Sequence, residues 1–66
     1  MEPTYIISDP GQYQFNAPTT VMLAEGFPES DLSSVYIQID SQSVYLQMSQ
    51  EQRMAVNVTY GPYAYL

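Results

Sequence analysis

The chain contains no cysteine and no histidine. Without cysteine no disulfide can staple it, and without either residue the usual structural zinc site has no ligands. The same absence removes the commonest general base and the usual nucleophile–base pairs, and with them the best metal ligands. Basic residues are almost missing too: Lys and Arg together number 1, and that one is Arg53. Contacts to phosphate need Lys and Arg, so the sequence argues against DNA, RNA or an anionic membrane as a partner. Long hydrophobic runs are also lacking. The longest, Val21-Met22-Leu23-Ala24, is far too short to span a bilayer. Met1-Glu2-Pro3 lacks the positive start of a signal peptide, and no long apolar stretch follows it. The expectation is a protein made in the cytoplasm, with incorporation into a particle as a later step. Gly11, Gly26 and Gly61 lie far apart, each explained by a turn, so no glycine-rich phosphate loop exists. No cofactor is expected.

What is present is small and acidic. The 66 residues carry a net charge of −6, with 7 Asp plus Glu, an ordinary acid count that the lack of bases leaves uncompensated. The acids Glu2, Asp9, Glu25, Glu29, Asp31, Asp40 and Glu51 are scattered, which is unlike the dense carboxylate track of a nucleic-acid mimic. A domain of this size buries only about 60% of its unfolded surface, so association is the natural way to add buried area. The 7 tyrosines are many for the length. Tyrosine combines large contact area with a polar tip, which suits interfaces.

The organising stretch is Val35-Tyr36-Ile37-Gln38-Ile39, then Asp40-Ser41-Gln42-Ser43, then Val44-Tyr45-Leu46-Gln47-Met48. Both arms alternate with period two. Val35, Ile37, Ile39, Val44, Leu46 and Met48 take one face, and Tyr36, Gln38, Tyr45 and Gln47 the other. Asp and Ser between the arms make local turns, so the stretch reads as a β-hairpin. Tyr36 then faces Gln47, and Tyr45 faces Gln38. Residues 4–15 read as an earlier hairpin, Thr4–Ile7 and Gln12–Phe15 around Asp9-Pro10-Gly11, with Tyr13 and Phe15 sharing a face. Thr19–Ala24 is apolar on both faces, as a central strand is. Glu29–Ser34 reads as a loop with at most one helical turn, Ser30 acting as its N-cap. Ser49-Gln50-Glu51-Gln52 fits a capping box for a short turn through Arg53. Ala55–Tyr60 returns to strand, with Val56, Val58 and Tyr60 inward.

The expected fold is therefore all-β: a small antiparallel β-sandwich or partly open barrel of five to six short strands, with at most one short helical turn. One domain covers residues 1–61, and a Tyr-rich C-terminal tail covers 62–66. No internal repeat is evident beyond the alternation itself.

Candidate chemistry is thin. Glu29 and Asp31 would share a face on an extended chain, but they lie in a polar stretch where carboxylates stay solvated. Glu25, Glu29 and Asp31 lack the ligand order and turning glycine of a calcium loop. Arg53 is either an interface anchor or a surface side chain paired loosely with an acid. Asn57-Val58-Thr59 matches a glycosylation sequon, yet it falls inside a strand and no secretory signal precedes it. The chain is not expected to be an enzyme.

Protein contact is better supported. The expected protein-binding residues are Tyr36, Gln38, Tyr45 and Gln47 on the uncharged face of the hairpin, with Tyr63, Tyr65 and Leu66 in the tail. An ordinary solvent-facing sheet would carry the same face, because tyrosines pair well across exposed strands. The function expected is that of a structural or assembly protein, such as a small accessory subunit of a virus particle. It would pack against copies of itself or a larger scaffold. The alternative is a small acidic inhibitor or adaptor that docks on a basic site of another protein.

Overall fold

The computed structural model describes residues 3–61. The predicted tail, including Tyr63, Tyr65 and Leu66, lies outside the described residues. Six strands form: β1 Thr4–Ile7, β2 Gly11–Phe15, β3 Thr19–Leu23, β4 Val35–Ile39, β5 Val44–Leu46 and β6 Asn57–Tyr60. A 3-10 helix, Glu29–Ser34, precedes β4, and helix α1, Gln50–Ala55, precedes β6.

The strands alternate between two sheets. One has the order β1-β3-β5 and the other β2-β4-β6. Every pairing is parallel. The chain climbs as a flattened coil, one strand in each sheet per turn, for three turns. This overturns the antiparallel sandwich or barrel. β4 and β5 belong to different sheets, as do β1 and β2, so neither predicted hairpin exists.

The physical reason lies in the turns. A two-residue hairpin turn needs positive φ at its central residues, which Asn-Gly or Asp-Gly supply, so only a longer loop could have closed this hairpin. Asp40-Ser41-Gln42-Ser43 contains no glycine, and no described non-glycine residue has positive φ. The link arches from one sheet to the other, held there because its ends bond to the preceding turn of the coil. Asp40 N–H donates to the Phe15 carbonyl at 2.9 Å, and Thr19 N–H to the Ser43 carbonyl at 3.4 Å.

The inward set survives this change because an arch and a hairpin impose the same alternation. In a hairpin the two apolar rows lie side by side on one face. In an arch they face each other across the core. Val35, Ile37, Ile39 and Leu46 are buried, and Val44 and Met48 pack against them half-buried. Ile7, Phe15, Val21, Leu23, Leu32 and Val56 complete one core between the sheets. β3 is the central strand of its sheet, as its continuous apolar character requires, and β4 is central in the other.

Register stacks like on like. Tyr13, Ile37 and Val58 form one inward ladder, and Phe15, Ile39 and Tyr60 the next. In the other sheet Tyr5, Val21 and Leu46 align. Tyr5 also packs edge-on against Tyr13 and Phe15 across the core, with ring centroids 5.9 and 5.4 Å apart.

Two short helices close the long arches, where one helical turn was expected at most. In the 3-10 helix Pro28, not Ser30, occupies the N-cap, and no side chain caps it. Leu32 is the helix's buried anchor. Gly26, at φ +79, reverses the chain after β3 in a conformation that side-chain-bearing residues rarely adopt. Helix α1 carries the expected capping box. Ser49 Oγ accepts from Gln52 N–H at 3.1 Å, and Gln52 Oε1 accepts from Ser49 N–H at 3.0 Å. No described helix is long and apolar enough to cross a membrane.

Candidate protein-binding surfaces

Because the strands alternate between sheets, the outward residues of β4 and β5 emerge on opposite sides of the molecule. Tyr36 and Gln38 stay together on the β2-β4-β6 face. Tyr45 lies in β5, on the other sheet, and Gln47 follows it, its N–H donating to the Val21 carbonyl at 2.8 Å. The structure thus does not bring Tyr36, Gln38, Tyr45 and Gln47 into one patch.

Two different faces replace it. On the β2-β4-β6 side, parallel register sets Tyr36 between Gln12 and Asn57, and Gln38 between Gln14 and Thr59. A shallow groove of about 440 Å³ runs along these outward rows. The face is uncharged and aromatic-and-amide in character. Asp40 braces its rim: its carboxylate accepts from Gln14 Nε2 at 2.6 Å and from Gln38 Nε2 at 3.3 Å. Gln38 Nε2 also reaches the Gly61 carbonyl at 3.3 Å. Asn57 is a structural lace rather than a free amide, because its Nδ2 donates to the carbonyls of Ser33 at 2.8 Å and Val35 at 3.2 Å.

On the β1-β3-β5 side, Thr4, Thr20 and Tyr45 form one outward row. Ile6 and Met22 pair in the next. Ile6 and Tyr45 are exposed. This face is the more apolar of the two. Sequence reasoning missed Gln12, Gln14 and Thr59 on one face and Ile6 and Met22 on the other. Their alternation was visible, but their neighbours depend on strands far away in the chain.

A third surface lies over the arches. A cleft of about 570 Å³ separates the 3-10 helix from α1. Its lining includes apolar Phe27, Leu32 and Ala55 and acidic Glu29 and Glu51. Arg53 is exposed in the last turn of α1. Among the described residues no three acids are placed to hold a metal ion.

Tyr13 has its pKa raised above the ordinary 10.0. Desolvation is the main cause, followed by the proximity of Tyr5 and Asp9. A hydrogen bond from its hydroxyl to the Asp9 carbonyl, at 2.5 Å, opposes the shift.

The chain matches no protein-family model, no curated protein and no solved structure.

Proposed function

We propose that the chain is a non-enzymatic structural or assembly protein that works through protein–protein contacts, of the kind found as a small accessory subunit of a virus particle. One observation carries the reading. Among the described residues each sheet ends in two edge strands, β1 and β5 in one, β2 and β6 in the other. None of the four contains a charged residue or a proline. Natural sheets that must stay single guard such edges with Lys, Pro, bulges or covering segments. Coil-like repeat proteins likewise need polar capping units to remain soluble alone. Edges free of charge and proline suit a protein whose sheets are completed by a partner. The composition agrees: no cysteine, one base and 7 tyrosines in 66 residues. The tail residues Tyr63, Tyr65 and Leu66 belong to the same proposal as further contacts.

The acidic-adaptor reading is supported by a different feature, the cleft between the 3-10 helix and α1. A lining that combines Phe27, Leu32 and Ala55 with Glu29 and Glu51 suits a Lys or Arg side chain from a partner.

Salt dependence separates the two. An assembly protein joined through sheet edges and tyrosines holds its oligomer or scaffold complex from low to high salt. An acidic adaptor is a monomer whose association rate falls steeply as salt rises. Sedimentation at micromolar concentration in both conditions, with and without residues 62–66, reads the difference. A monomer throughout, binding its partner only at low salt, refutes the assembly reading.

A further inference from the structure

We infer that the occupant of these open edges is a second copy of the same chain, docked head to tail so that β5 and β6 of one copy meet β1 and β2 of the next. The inference rests on the assembly reading and deepens it by naming the partner and the register.

Three observations converge. The first is polarity. Both sheets are wholly parallel, so a copy stacked in the same orientation adds a strand of the right direction to each sheet at once. The second is uneven burial along the ladders. In the ladder Tyr5, Val21, Leu46 the exposures are 45%, 0% and 7%, and in Phe15, Ile39, Tyr60 they are 7%, 1% and 62%. The middle turn of the coil is sealed, while Tyr5 is uncovered at the leading end and Tyr60 at the trailing end. Stacking covers both together: Leu46 of one copy comes beside Tyr5 of the next, and Tyr60 beside Phe15. The cluster of Tyr5, Tyr13 and Phe15 is already assembled to receive them. The third is charge. The two rungs that would meet hold no charged residue. Continuing the register places apolar on apolar and polar on polar, with no like-charge pair within these rungs. A head-to-tail contact of this kind does not close on itself, so it propagates until a different partner caps it.

Cysteine cross-linking tests the register directly, since the chain has no cysteine of its own. Within one copy Gln14 and Thr59 are separated by Gln38 in the same row. Two strand spacings, about 10 Å, are too far for a disulfide. Between stacked copies Thr59 lies directly beside Gln14 of the next. Under a mild oxidant the double variant Gln14→Cys, Thr59→Cys therefore gives a ladder of covalent multimers on a non-reducing gel. Each single variant alone stays monomeric, and a mixture of the two stops at dimers. Dimers from a single variant would mean a symmetric edge-to-edge pair and overturn the head-to-tail arrangement. Circular dichroism and the urea midpoint of the reduced variants confirm that both surface changes leave the fold intact. The companion variant Thr59→Lys with Gln14→Lys sets like charges opposite each other only between copies, and sedimentation should then show monomer. If the wild-type chain is a monomer that still binds a protein scaffold at high salt, stacking is refuted while the assembly reading stands. If it is a monomer with salt-sensitive binding alone, both are refuted.

Discussion

Replacing Ile37 by alanine tests the core at its centre. Ile37 lies mid-strand in β4, the central strand of its sheet, and is 1% exposed between Tyr13 and Val58 in its ladder. The change removes three buried carbons. At ~0.8 kcal/mol each the transfer term is roughly 2.5 kcal/mol. A cavity term adds to it, because strands tied on both sides cannot collapse inward, so the total falls within about 2–5 kcal/mol. A chain of this length has a stability of only about 3–10 kcal/mol. Urea unfolding followed by circular dichroism reads the loss. With a slope near ~1 kcal/mol/M for so small a protein, the midpoint moves down by about 2–5 M, which leaves little native baseline. Ile37→Val, expected to lose about 0.5–1.5 kcal/mol, keeps the measurement on scale. The contrast is Tyr36→Ala, one residue away and 51% exposed, which should shift the midpoint by no more than ~1 M. If Tyr36→Ala proves as damaging as Ile37→Ala, β4 faces the opposite way and the assignment of core and surface is wrong.

Strand pairing has its own test: Gln12→Cys with Tyr36→Cys should form a disulfide within one chain, since parallel neighbours in register lie ~4.8 Å apart. Tyr36→Cys with Gln47→Cys, partners only in a hairpin, should stay reduced. Ser49→Ala removes the acceptor of the α1 capping box and should lower stability by about 1 kcal/mol, seen as a midpoint shift with unchanged slope. Because the raised Tyr13 pKa favours its neutral form, this group leaves stability unchanged below pH ~10. Above that the unfolded chain loses the proton first, so stability falls as pH rises toward the folded-state pKa. Alkaline unfolding of Tyr13→Phe should lack that component, and equal alkaline sensitivity of the two proteins would contradict the shift.

Local features were legible in the residues themselves. Alternation in Val35–Ile39 and Gln12–Phe15 told inward from outward, because side chains in a strand flip every residue whatever the strand pairs with. The two-sided apolar character of Thr19–Leu23 marked a central strand, and Ser49 with Gln52 marked the start of α1, each through interactions only a few residues long. Pairing was another matter. Thr4 bonds beside Thr20 and Thr19 beside Val44, and these unequal spacings disguise the three turns of the coil as unrelated segments. An arch and a hairpin write the same alternating pattern. The choice between them was made by backbone groups that found partners one full turn of the coil away, whether the link carries a glycine, as at Gly11, or none, as in residues 40–43. That choice separated Tyr36 from Tyr45. It also placed Gln12, Gln14 and Thr59 around Tyr36, and left Tyr5 and Tyr60 exposed on the outer strands. Composition had set the kind of surface this protein presents, acidic overall and rich in tyrosine and amide. Which residues share a face, and which edges stay open, depended on long-range parallel pairing that no short stretch of the chain encodes.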